Sequence, residues 1–158
     1  WHELVKKFIT VAIELCILDD QNRVFLVYRK DKEYDGYHMP GTVVNDWEGV
    51  LDAKKRLVEG EVAIQGLTIT DPQPIGWLEV QRGNGPHTDH SRHGLSLLHV
   101  AHFSSTFVPK NGAGFYSFDA LPKNTLISHR YLLKIYMKYV EDGKIVLGEN
   151  IDSSPLKS

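Results

Sequence analysis

Cysteine occurs once in the 158 residues, at Cys16. No internal disulfide can form, and the chain suits a reducing compartment. Cys16 lies in an apolar, partly alternating run, where a small packed side chain is the expected role rather than a nucleophile. Long hydrophobic runs are also missing. Apolar residues make up 42% of the chain, yet no stretch is long enough to span a bilayer. An excess of charge is absent too: 18 basic residues against 20 acidic ones leave a net charge of −2. That balance argues against broad nucleic-acid binding. No repeat, low-complexity segment or leader-like segment stands out, and the expected compartment is the cytoplasm. The length fits one domain with a real core, expected over 1–147, with a polar, frayed tail at 148–158.

What is present alternates between strand and helix signals. "FITVAIELCILDD" predicts a strand from Phe8 to Leu18, and "RVFLVYRK" a second one, joined by the turn "DDQN" into a hairpin. "DKEYDGYHMPG" reads as a loop. A helix follows from Gly49 to Val62, with Asp46 as its expected N-cap and Val50, Ala53, Leu57 and Val58 as its buried stripe. "LTITDPQPIGWLEVQ" gives one or two strands interrupted by proline, and "LSLLHVAHFSS" a strand expected to be central. "KNGAG" is a turn, "FYSFDAL" a short strand, and "SHRYLLKIYMKYVEDG" a last helix whose Tyr131, Leu132, Ile135, Tyr136 and Tyr139 recur at three and four. The pattern predicts an α/β fold, a mixed, partly antiparallel sheet packed between helices.

The segment from 36 to 64 carries the chemistry. The turn Pro40–Gly41 is followed by Glu48, Arg56 and Glu61. Residues 42 to 64 resemble a Nudix box, the signature of hydrolases that cleave nucleoside diphosphates linked to another moiety. The box begins at Thr42, and its spacing to Glu48 and to Arg56 matches without a gap. With the strand pair before it and "FDALP" before the last helix, the likeness covers roughly residues 9 to 140. It implies an α/β/α sandwich, Mg²⁺ or Mn²⁺ as cofactor, a nucleoside diphosphate-linked small molecule as partner, and a possible homodimer. In the family, acids one, four and five positions after the arginine share one helix face. Here those positions are Leu57, Gly60 and Glu61, so Glu61 alone remains. Glu59 is turned about 160° from Glu61 on an ideal helix. Glu48 and Asp52 are the expected partners of Arg56, fixing the loop against the helix.

"RLVEGEV" is similar to one branch of that family, the GDP-mannose mannosyl hydrolases, which also place Leu after the arginine and a small residue at the next acid. That branch works with one Mg²⁺, water attacking the sugar's anomeric carbon and a nucleoside diphosphate leaving. The resemblance assigns Glu61 and the Gly41 carbonyl to the metal. The branch's Gln-His pair falls on "PKNGAGFY", which has no histidine; Asn111 is placed to replace the glutamine as a carbonyl ligand.

"HTDHSRH" offers a base instead. One reading is a substrate loop, with Arg92 for phosphate, His90 or His93 as general base and Asp89 as orienter or ligand. Others are a soft transition-metal site and a polar surface loop. His99 and His102 are three apart in one strand and face opposite sides, one of them toward substrate or both as structural histidines. His38 either packs under the turn or touches substrate. Arg29 either meets phosphate or is a solvated strand end. Trp47 and Trp77 either stack on a base or pack at the core and rim. Three functions are open: a nucleotide-sugar hydrolase, a pyrophosphohydrolase of ADP-ribose or a related substrate, and a non-catalytic nucleotide- or protein-binding domain.

Overall fold

The structure is a computed structural model that describes residues 9–32, 34–80, 94–105, 108, 112–143 and 146–150, with backbone alone at 80 and 146–150. In chain order the strands are β1 (Thr10–Leu18), β2 (Val24–Lys30), β3 (Asp35–His38), β4 (Gly41–Val43), β5 (Gln73–Val80), β6 (Gly94–His102), β7 (Gly114–Tyr116) and β8 (Val146–Asn150). The helices are α1 (Val50–Leu57), continued by a π turn at Val58–Val62, and α2 (Ile127–Asp142). The strands form one mixed sheet ordered β3-β2-β1-β6-β5-β8, with β4 on β1 and β7 on β2. β1 runs parallel to β6, and β5 antiparallel to it, so β6 is central as its apolar sequence predicts.

The alternation of β1 divides the core. Ile13, Leu15 and Ile17 point to the α1 side, where they meet Phe25, Ala53, Leu57, Val62 and Ala101. Cys16 and Leu18 point to the α2 side with Leu26, Met39, Leu98, Leu132, Leu133 and Tyr136. Two apolar layers on two sheet faces make an α/β/α sandwich. Cys16 is fully buried. Asp19 closes the β1–β2 turn by accepting from the Gln21 and Arg23 N–H groups and from the Arg23 side chain.

Several local expectations give way. The stretch read as a loop before the box contains β3 and reaches β4. Gly36 permits β3: a Cβ there would lie 2.2 Å from the Asn124 carbonyl oxygen. That contact docks β3 on the loop before α2, where the Tyr37 N–H donates to Asn124 and the Leu126 N–H to Tyr37. α1 is capped by Gly49 without a side-chain bond, not by Asp46, because Trp47 turns the backbone into the left-handed region at φ 65°. Val50 is exposed rather than part of the stripe. β8, at Val146–Asn150, pairs parallel with β5.

Candidate active site

The site is built where β1, the Pro40–Gly41 turn and the end of the box helix meet. The turn is held first by backbone: Leu15 N–H donates to Pro40 O, and Val44 N–H to Val11 O. In an antiparallel pair such bonded positions alternate with non-bonded ones. Gly41, opposite Glu14, therefore turns its N–H and C=O away from β1. On that side the Gly41 N–H lies toward Glu61 and favours its charged carboxylate.

Arg56 fixes the loop that follows. Its Nε and one Nη donate to the two Glu48 oxygens at 2.8 and 2.9 Å. The other bonds go to the Thr42 hydroxyl and the Val43 carbonyl, both 2.8 Å. Glu48 also accepts the Asn45 N–H. Bidentate Arg–carboxylate pairing is strong and directional, and it lowers the Glu48 carboxyl to about 2. Asp52, the other expected partner, sets its Oδ2 beside Gly49 instead. Thr42, where the family has glycine, spends its hydroxyl on Arg56.

The helix end explains the missing acids. Leu57 and Val62 are five apart, about 140° on an ideal α-helix, yet only 2% and 1% exposed. The π turn brings both onto the core face, a device frequent at functional sites. Leu57 is thus a core residue and not an apolar lining of the metal face. Glu59 is exposed and lies 3.8 Å from Lys55. Glu61 is mostly buried; burial raises its carboxyl, while the Gly41 N–H and the positive charge of Arg29 oppose that.

Arg29 sits at the end of β2 with its guanidinium 4.5 Å from the centre of the Tyr34 ring and bonded to Asp31. His38 places Nδ1 2.8 Å from the Met39 carbonyl. A carbonyl only accepts, so Nδ1 carries the proton and Nε2 is left as the basic nitrogen. Burial lowers the His38 ring below its ordinary value. Its neighbour at 5.6 Å is His129 of α2, whose Nδ1 accepts the Met39 N–H.

Sequence reasoning missed Glu14. It lies on β1 opposite Gly41, its Oε2 is sealed from solvent, and that oxygen has no hydrogen-bond partner. Burial, and then the charge of Glu61, raise its carboxyl to about 8. The signal was available: one acid inside the apolar run "AIELCIL". His99, by contrast, is a structural histidine, buried with its Nδ1 on the Leu97 carbonyl, and His102 is exposed. Trp47 is fully exposed and packs in no core; Trp77 is partly exposed. His87, Asp89, His90, Arg92, His93 and Asn111 lie outside the described residues.

Glu61, the orphaned Glu14 oxygen and the Gly41 carbonyl offer oxygen donors only, which suits a hard divalent cation. No group of three or more His, Cys, Asp or Glu able to hold a metal occurs among the described residues. No helix there is long and apolar enough to cross a membrane.

No family model matches the sequence, and no curated protein matches it. Solved structures do match. An ADP-ribose pyrophosphatase from Streptococcus suis superposes with a TM-score of 0.61 at 14% identity, over 89% of this chain and 98% of that one. The fold is that of the Nudix hydrolases. A MutT Nudix hydrolase from Burkholderia pseudomallei gives 0.58 at 20% identity, over 80% and 97%. A UDP-X diphosphatase gives 0.63 at 11% identity, over 90% and 68%. In this Nudix fold the loop-helix of residues 42 to 64 lies against β1, with Arg56 closing the loop and Glu61 on the turn.

Proposed function

We propose that this protein is a divalent-metal-dependent hydrolase of a nucleoside diphosphate-linked metabolite, with nucleotide sugars as its substrate class. The observation that carries this reading is Glu61, set beside the Gly41 backbone at the Pro40–Gly41 turn of a Nudix fold. Glu61 and the Gly41 carbonyl would hold Mg²⁺ or Mn²⁺, with Asn111 as the further ligand. The cation would neutralise the diphosphate and make it a better leaving group. Arg56 and Glu48 keep the loop in place, and Arg29 faces substrate phosphate beside Glu61. His38 contributes a neutral ring at the turn. Arg92 binds phosphate, and His90 or His93 takes the proton from the attacking water. The run "RLVEGEV", with its GDP-mannose mannosyl hydrolase likeness, favours attack at the anomeric carbon.

A second reading is a pyrophosphohydrolase, favoured by neighbours named for ADP-ribose and UDP-X diphosphate cleavage. Nucleoside diphosphate sugars and ADP-ribose, assayed with Mg²⁺ and Mn²⁺ in ¹⁸O water, separate the two. The first reading expects free sugar carrying the label; the second expects labelled phosphate. No turnover of any substrate would reject both and leave a binding domain. Glu61→Gln is expected to abolish metal-dependent turnover, and full activity in that variant would remove Glu61 from the site. His90→Ala and His93→Ala test the base in the same way.

A further inference from the structure

Glu14 presents a problem that the protein alone does not solve. Its Oε2 is buried and has no hydrogen-bond partner. Glu14 is only partly buried as a residue, but a carboxylate oxygen sealed from water without a donor is disfavoured. Glu61 adds a second negative charge acting on the same group. The two acids reach the backbone of one glycine from different elements. Glu61 comes from the π turn and lies toward the Gly41 N–H, which favours its charged form. Glu14 comes from β1, and a Cβ on Gly41 would lie 2.8 Å from its Oε2. Any larger residue at 41 would fill the space in front of the orphaned oxygen.

We propose that Glu14 is a direct ligand of a divalent cation at Gly41, supplying the carboxylate that Leu57 and Gly60 no longer provide. The proposal rests on the metal-dependent reading above and adds a residue from outside the box. Two carboxylates and a main-chain carbonyl leave room for waters and substrate phosphate, the arrangement Mg²⁺ prefers. No sulfur or imidazole belongs to the set, so a softer metal is not favoured. The cation also explains why an acid persists in an otherwise apolar strand, since it removes the repulsion between the two carboxylates.

The test is Mn²⁺ binding without substrate, read from the paramagnetic resonance of free Mn²⁺ at neutral pH. Wild type is expected to bind Mn²⁺, and Glu14→Gln to bind at least about tenfold more weakly. Glu59→Gln, which alters an exposed acid beside Lys55, is expected to keep wild-type affinity. Affinity unchanged in Glu14→Gln, an equal loss in Glu59→Gln, or no binding by wild type would each overturn the proposal. If Glu14→Gln fails to fold, the wild type still decides. Mg²⁺ should shift the Glu14 side-chain carboxyl ¹³C resonance together with that of Glu61; a Glu14 signal that stays put while Glu61 moves would also overturn it. Because no substrate is present, these outcomes are independent of whether any nucleotide sugar is hydrolysed.

Discussion

At the scale of single residues, the side chains around the turn divide between holding shape and carrying unspent charge. Arg56 is committed to Glu48, Thr42 and Val43. Glu14 and Glu61 are crowded by burial, with Gly41 as their shared neighbour. The first group has a pH signature. Arg56 holds the Glu48 carboxyl at about 2, whereas an unfolded glutamate titrates near 4.3. A depressed folded value means that this pairing stabilises the protein above the ordinary glutamate range and loses that contribution as pH falls toward 2. Carboxyl ¹³C titration of Glu48 is expected to show a midpoint near that value, and Arg56→Ala to raise it toward the ordinary range, with the Asn45 N–H still holding it somewhat low. A wild-type midpoint near 4 would mean that the pair does not persist in solution. The Arg56–Glu48 tie was legible from the box register that the family resemblance supplies, whereas Asp52, expected with it, turns to Gly49 instead. Glu14 was legible only as a lone acid in an apolar strand, because a strand pattern does not show what stands opposite it.

At the scale of elements, the box helix decides which lost acids could be restored. Leu57 belongs to the apolar layer with Ile13, Ala53 and Val62. Gly60 has no atom within 4 Å of the position a Cβ would occupy. Returning the family's acid at 57 therefore buries a charge. Leu57→Glu is expected to lose at least about 3 kcal/mol of stability and to gain no metal affinity. Urea unfolding and a Mn²⁺ titration check this together. A stable variant with tighter Mn²⁺ binding would show that position 57 does face the metal. Ideal-helix geometry put Leu57 beside Glu61 because a sequence read at 100° per residue does not contain a π turn. The same blindness hid β3. Its four residues "DGYH" carry no alternation worth reading, and they form a strand because β2 and the 124–126 loop bracket them. The long elements, β1, β2, β6 and α2, were legible because their apolar period repeats often enough to dominate.

At the scale of the molecule, the proposed Glu14 ligand depends on one alignment: β1 must present Glu14 to the turn while β6 supports it from the other side. The tie is Tyr136 of α2, fully buried, which crosses the apolar layer to the strand pair. Its hydroxyl donates to the Glu14 carbonyl at 2.8 Å and accepts the His99 N–H at 3.1 Å. One side chain thus joins α2, β1 and β6 at the residue proposed to hold the cation. The last helix was legible as amphipathic, with Tyr136 in its stripe, but periodicity treats that tyrosine as apolar bulk and is silent about its oxygen. Tyr136→Phe keeps the bulk and takes one hydrogen-bond partner from each of two backbone groups, at a cost on the order of 2–4 kcal/mol in total. For a domain of this length the thermal midpoint is expected to fall by roughly 5–15 °C. Mn²⁺ affinity should weaken with it, because the backbone of Glu14 is no longer pinned. Calorimetry and the substrate-free Mn²⁺ titration, run on the same preparation, read both effects. A midpoint within about a degree of wild type would show that the hydroxyl ties nothing together. A lowered midpoint with unchanged Mn²⁺ affinity would show that α2 stabilises the sheet without positioning Glu14.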